Sequence, residues 1–426
     1  MSRTRTRRVA GVLWPLFLLA AVGGASAGAQ DPVPAQLTPD EPATQEPTTP
    51  EATPPEPEDL EGKGDMPPIR ARQALDLTLG YLLAQQNEDG SWGVGVPDDL
   101  TELGFALDTF YAWNQASNSL VMLALLESPR TPERDAALEA GLEWLCSTRL
   151  AHRGSTWDVD STWASLYGFV FLTKAAREER FAAEPWSALI EKRALEFYAD
   201  LDKRQTPGGG WAYYDDPPIT IKPTWATSFC TALILPALRE ARDELGWPIE
   251  DRVIDGAVSA VKRCSLPNGA FSYDVSPIQR SHGGQSINQV PGSLGRIQVC
   301  NWALSELGVE RVTPDVLREG LENFFAYHSY LDMIRTHPTP HAGFFANAGY
   351  FYYFGHYYAA QAISLLPEGE RELWHRRLRY HVIKNLTKEG SCTDFLTSRY
   401  VINACTAFTA LVLAAGLPPE AGEAAR

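Results

Sequence analysis

Between residues 158 and 163 the chain reads Asp158-Val159-Asp160-Ser161-Thr162-Trp163, two carboxyl groups one residue apart just ahead of an indole. A carboxyl group keeps its proton near neutrality when it is buried or set beside a like charge, and it can then act as a general acid. Asp160 is the candidate donor and Asp158 the neighbour that would raise it. Trp163 offers a face for a cation or an apolar ligand. The same letters suit a plainer role, with Asp160 or Ser161 as the N-cap of a helix that starts here. A second concentration runs from Phe344 and Phe345 through Tyr350, Phe351, Tyr352, Tyr353, Phe354, His356, Tyr357 and Tyr358. On a helix Tyr353 and Tyr357 share a face and His356 lies alongside as a further catalytic candidate. Such a wall could hold an apolar chain, stack on a sugar or stabilise a carbocation, although bulky filling of a core explains part of it.

Other residue types invite narrower readings. Arg296 precedes an apolar run and could point inward to bind an anionic group, or simply be solvated at a loop edge. Trp225 and Asp394 are further candidates for ligand contact. Asp215 and Asp216 have the paired acids of a glycan-cleaving site, but Pro217 and Pro218 behind them also suit a turn. His337-Pro338-Thr339-Pro340-His341 reads as loop.

The elements that must position these groups repeat six times. Each unit has a two-faced helix, a turn containing glycine, and a helix apolar on nearly every side. The turns are Gly90-Ser91-Trp92, Gly154 to Trp157, Gly209-Gly210-Trp211, Gly269-Ala270-Phe271, Gly343-Phe344-Phe345 and Gly390-Ser391-Cys392. Leu75, Leu79, Leu82 and Leu83 show the one-sided spacing of a first helix. Thr131-Pro132-Glu133 and Thr313-Pro314-Asp315 mark helix starts, and Glu184-Pro185 and Trp247-Pro248 imitate them. Ala226 to Leu238, Val299 to Leu307 and Ala404 to Ala415 carry almost no charge, as helices enclosed on all sides do. Two-faced helices alternating with enclosed ones predict an all-α (α/α)6 toroid over residues 69–418, with the turns at one rim of a central cavity. An open solenoid would need polar capping repeats that neither end supplies.

The ends point to export. Arg3, Arg5, Arg7 and Arg8 precede an apolar run from Val9 to Val22 and the small residues Ala25, Ala27 and Ala29, the layout of a secretory signal over residues 1–29 that could also serve as an uncleaved anchor. Residues 30–68 form an extended spacer. Its stretch 31–68 holds eleven prolines, and its ten acids and one lysine supply −9 of the net −16 charge. With no basic region in spacer or toroid, nucleic acid is excluded as a partner. Residues 419–426 are a short tail. Cys230, Cys300 and Cys405 fall in apolar runs and read as buried small hydrophobes, while Cys146 and Cys264, near helix ends, are the pair better placed to form a disulfide.

At the turns the chain resembles the QW repeats of squalene-hopene cyclases and the prenyltransferase repeat superfamily. Gln86-Asn87-Glu88-Asp89-Gly90-Ser91-Trp92 and Gln205 to Trp211 match the pattern in full, while Phe271, Phe345 and Cys392 stand where tryptophan would be. The resemblance spans residues 69 to about 415 and implies the same toroid fold, with the glutamine bridging to a neighbouring helix end and the indole packed between hairpins. It further implies that Asp158 to Thr162 stands where such cyclases carry Asp-x-Asp-Asp-Thr, the middle acid protonating an alkene; Ser161 replaces the last acid of that motif. Related protein prenyltransferases hold zinc with an aspartate, a cysteine and a histidine. Cys392, Asp394 and His356 lack that order and spacing, so no metal and no cofactor are expected. The resulting expectation is an exported toroid that binds an apolar or isoprenoid-like small molecule without full cyclase activity. An Asp160-dependent cyclase and a carbohydrate-active toroid are the alternatives. The N-terminal segment leaves room for association with a membrane surface.

Overall fold

A computed structural model describes residues 68–93, 106–155, 158–213, 225–275, 287–338, 341–342 and 345–417. Two kinds of helix alternate along it. The outer positions are α1 (Pro68–Ala84), α3 (Pro132–Ser147), α5 (Trp186–Arg204), α7 (Asp251–Cys264), α9 (Pro314–Ala326) continued by α10 (His328–Ile334), and α12 (Glu368–Ile383). The inner positions are α2 (Leu107–Leu126), α4 (Thr162–Ala175), α6 (Ser228–Asp243), α8 (Leu294–Glu306), α11 (Tyr352–Ser364) and α13 (Ile402–Ala414).

Burial follows the charge pattern. In α7 the buried residues are Val253, Ile254, Ala257, Ala260, Val261 and Cys264, one stripe at three- and four-residue steps. In α13 every residue from Ala404 to Leu413 is buried. Enclosure on all sides requires neighbours on both flanks. α2 packs on α4, α4 on α6, α6 on α8, α8 on α11 and α11 on α13, and α13 returns to α2. That last contact closes the inner ring, and the fold is an (α/α)6 toroid.

Four of the six turns are built alike. Gly90, Gly209, Gly269 and Gly390 have φ of 88°, 81°, 82° and 91°, in the region where a side chain is strained. At Gly209 a Cβ would also strike the Gly256 carbonyl of α7. Two residues on, the backbone N–H of Trp92, Phe271 and Cys392 donates to Asn118 Oδ1, Ser293 Oγ and Thr406 Oγ1 at or near the following inner helix; Trp211 N–H donates to Thr231 Oγ1 in the same way. The two complete glutamine–tryptophan turns share a further pair of bonds. Gln86 Nε2 donates to Ala137 O at 2.8 Å and Gln205 Nε2 to Val253 O at 2.8 Å, each reaching the outer helix of the next unit. The buried indoles donate back to Leu82 O and Leu201 O at 2.6 and 2.7 Å. Each turn therefore ties its own helix pair to the next one.

Several expectations need correction. α8 starts at Leu294, ahead of Val299, because Arg296 is buried inside the helix rather than at a loop edge. α7 starts at Asp251, beyond Trp247-Pro248. The fifth outer position breaks at Tyr327, and a two-residue antiparallel pairing of His341–Ala342 with Asn347–Ala348 follows it. All six cysteines are free; Cys146 and Cys264 belong to the second and fourth units, with the third between them. The N-terminal basic and apolar segment, the acidic spacer to residue 67, Asp215 and Asp216, residues 276–286, Gly343, Phe344 and residues 418–426 lie outside the described residues. Among the described residues no helix is long and apolar enough to cross a membrane.

The turn geometry makes a stability prediction. Gly209→Ala should cost at least about 2–3 kcal/mol, since it adds a carbonyl clash to the left-handed strain. Gly308 has φ of 71° and open space around it, so Gly308→Ala should cost only about 1 kcal/mol. Urea midpoints of both variants check this, and equal losses would contradict it.

Candidate functional site

The inner helices begin at the turn rim, and their first residues enclose a cavity of about 340 Å³. That is at the small end of the range of about 300–1,000 Å³ usual for small-molecule sites. Its wall is aromatic: Trp113 from α2, Trp163 and Tyr167 from α4, Phe229 from α6, Phe354 from α11 and Phe408 from α13, with Tyr213, Phe351, Phe395 and Tyr400 from the connecting segments. Trp163 stacks on Tyr167 with ring centroids 5.5 Å apart and on Phe229 at 6.1 Å. Exposed His341 and half-buried Tyr350 stand at the mouth, joined by a 3.3 Å hydrogen bond between Tyr350 Oη and His341 Nε2.

Two carboxyl groups open into this wall, Asp160 and Asp394. They occupy comparable places, each after its turn glycine and before the next inner helix, in the second and sixth units. Asp160 is not a helix cap. The N-cap position of α4 is Ser161, which makes no side-chain cap bond and instead accepts from Arg204 Nη1 at 3.1 Å. Asp160 has φ of 65°, and its Oδ2 accepts from the Trp113 indole at 3.0 Å. Burial within the aromatic wall, opposed by indole hydrogen bonds from Trp113 and Trp163, pushes this carboxyl from 3.8 up to about 6. Asp394 is 5% exposed and accepts from the Tyr353 backbone N–H at 3.3 Å. Burial pushes it up to about 7 against that bond, the Cys405 thiol and the charge of Arg335.

The structure divides the candidate residues. It brings Asp160, Trp163 and Asp394 into one wall. Asp158 lies apart: its carboxylate accepts from Thr109 N–H at 3.2 Å and Ser155 Oγ at 2.9 Å, which fastens the turn. Burial, not repulsion from Asp158, therefore raises Asp160. Trp225 meets the wall edge-on through Tyr213 at 5.2 Å. Tyr357 sits behind Phe408 at 5.4 Å, and Tyr353 reaches the site only through its amide on Asp394. Arg296 is fully buried and donates to the carbonyls of Phe271 (3.1 Å) and Ile287, so it braces a loop instead of presenting itself to an anion. His356 faces His328 and His381, away from the cavity wall. Cys392 and Asp394 do not join it; among the described residues the three histidines are the group whose spacing suits a metal.

Trp113, Tyr167, Tyr213, Phe229, Tyr400 and Phe408 escaped the sequence reading. A signal for two of them was present. Trp163–Tyr167 and Ala404–Phe408 are i, i+4 pairs near the starts of inner helices, so each pair shares the cavity face.

No protein-family model matches the chain, and no curated protein matches it in sequence. Solved structures share the architecture. An inactive variant of the α-1,6-mannanase GH76A of Salegentibacter sp. HEL1_6, in complex with α-1,6-mannotriose, has a TM-score of 0.50 at 11% identity over 80% of this chain and 99% of that one. A possible member of the GH105 family from Salmonella enterica serovar Paratyphi A gives 0.48 at 14% identity, over 83% and 94%. The type II terpene cyclase MstE from Scytonema gives 0.47 at 12% identity, over 83% and 100%. At such identities the likeness is one of fold, and chemistry must be argued from the site.

Both wall carboxyls titrate higher in the folded chain than in the unfolded one. The folded state therefore holds the extra protons between about pH 4 and pH 7, and stability falls as pH rises through that window. For Asp394 the loss is on the order of 2–4 kcal/mol once the group is ionised. Asp394→Asn should raise the urea midpoint much more at about pH 8 than at about pH 4.5. The same change at both pH values would contradict the raised carboxyl.

Proposed function

We propose that the toroid binds a compact apolar ligand of isoprenoid type in this cavity, and that Asp160 can donate a proton to it. The observation that carries this reading is the half-buried Asp160 carboxyl, held by the Trp113 indole, opening into a wall of aromatic faces. Such a wall offers dispersion contact to a hydrocarbon and few partners for the many hydroxyls of a sugar. A carboxyl at about 6 remains partly protonated near neutrality.

The chemistry balances without a cofactor. The Asp160 proton passes to one carbon of an alkene, whose π pair forms the new C–H bond, and the other carbon is left cationic. Trp163, Tyr167 and Phe229 present π faces there, and a desolvated cation–π contact is worth about 2 kcal/mol. After ring closure by a second alkene, loss of a proton to the Asp160 carboxylate restores the acid. Ser161 in place of a further aspartate removes the like-charge support of the resembling cyclase motif, so the reading rests on burial. Binding without turnover is its minimal form. The presence of Asp394 in the same wall favours a second reading, a carbohydrate-active site with paired carboxyls. We also propose export of the chain behind the acidic spacer, supported by the arginines, apolar run and small residues of its N-terminus.

Calorimetric titration with farnesol and with mannotriose separates these readings. Farnesol should bind saturably, and Trp163→Leu should weaken it by about tenfold or more, as expected for loss of an aromatic anchor. Asp160→Asn should retain binding and abolish any cyclised product found by gas chromatography. Mannotriose binding without farnesol binding would overturn the proposal in favour of the sugar reading.

A further inference from the structure

A second cluster lies between the fifth and sixth units and plays no part in the cavity. His328 on α10, His356 on α11 and His381 on α12 are 3%, 0% and 7% exposed, and each offers a ring nitrogen within 4.8 Å of the others. Their hydrogen bonds fix the protons. His356 Nδ1 donates to the Tyr352 carbonyl at 2.7 Å, which leaves Nε2 with a lone pair. His328 Nδ1 lies 3.1 Å from Asp332 Oδ2 and donates to that carboxylate, which leaves its own Nε2 with a lone pair as well. These two Nε2 atoms face each other at 3.0 Å. Two lone pairs cannot satisfy one another, so something positive must lie between them: a proton on His328 or a cation. Nδ1 of His381, whose ring stacks on His328 with centroids 3.6 Å apart, has no hydrogen-bond partner.

We propose that His328, His356 and His381 bind a divalent transition-metal ion, zinc(II) foremost, which fastens α10, α11 and α12 together. Metal-bound imidazoles usually donate their other N–H to a carboxylate or backbone carbonyl, and Asp332 and the Tyr352 carbonyl fill both roles. Asp332 is itself anchored, accepting from Lys384 Nζ at 2.8 Å. A tetrahedral zinc with Zn–N bonds near 2.0–2.1 Å spaces its nitrogens about 3.3 Å apart, close to the facing pair and within side-chain rotation of the third ring. Three imidazoles suit zinc, copper or nickel and not calcium or magnesium. Phe324 packs edge-on against His328 and His356, giving the site an apolar shell. Three imidazoles leave the fourth tetrahedral position to a water or another exogenous ligand.

The test uses the full chain purified without a histidine tag, stripped with a chelator and titrated with zinc chloride by calorimetry, followed by cobalt(II) absorption. One ion per chain should bind, cobalt should give the intense visible bands of a tetrahedral nitrogen site, and added zinc should raise the thermal midpoint. Asp332→Asn should weaken zinc by about 10- to 100-fold. His381→Phe should keep the ring packing and the helical circular dichroism while losing the ion. Absence of saturable binding in the stripped chain, or undiminished binding in folded His381→Phe, would overturn the proposal and leave His328 as an imidazolium hydrogen-bonded to His356.

Discussion

Closure of the inner ring is the constraint on which the rest depends. A helix such as α13, buried from Ala404 to Leu413, has no polar stripe to give to water, so it is stable only with neighbours on both flanks and an outer helix at its back. Its packing on α11, on α2 and on α1 supplies all three. The same demand applies to every inner helix, and a ring is the arrangement that meets it without leaving an end. Closing the ring also sets the cavity: the starts of α2, α4, α6, α11 and α13 converge at the turn rim, and the side chains they carry there face one another.

That geometry explains how two carboxyls come to keep their protons well above the ordinary carboxylate range, up to about 6 and about 7. Among the described residues neither Asp160 nor Asp394 has a cationic partner at bonding distance; each has neutral donors, an indole for one and an amide for the other. Neutral donors soften the loss of water without replacing it, so burial dominates and both groups rise. The cost falls on stability and is retained in the place where a proton would be useful. Strain collects there too, since Asp160 carries one of the two positive φ values found outside glycine among the described residues.

Much of the fold was legible because the physics of burial writes directly into composition. Six glycine turns, six two-faced helices and six apolar ones were visible as a repeat, and Thr131 caps α3 by accepting from Arg134 N–H as its letters suggested. Gln86 and Gln205 make the bridging bonds expected of them, and the indoles of Trp92 and Trp211 are buried. The site was less legible. Asp160, Trp163 and Asp394 were found, but the rest of the wall is assembled from residues distant in the chain, such as Trp113 and Tyr400, whose rings lie 5.9 Å apart. Arg296 misled because an arginine in a helix start looks solvated until its carbonyl partners are seen. The aromatic run from Tyr350 to Tyr358 reads as one wall in sequence, yet a helix distributes neighbours around its axis: Phe354 faces the cavity while His356 faces α10 and α12.

The central claim is that the Asp160 carboxyl, in an aromatic cavity at the convergence of the inner helices, holds its proton up to about pH 6. Infrared difference spectroscopy across a pH titration reads this directly, through the carbonyl stretch of a protonated acid compared between the parent chain and Asp160→Asn. The account predicts a band absent from the variant that disappears around pH 6. A carboxyl that ionises near its ordinary 3.8 would contradict it.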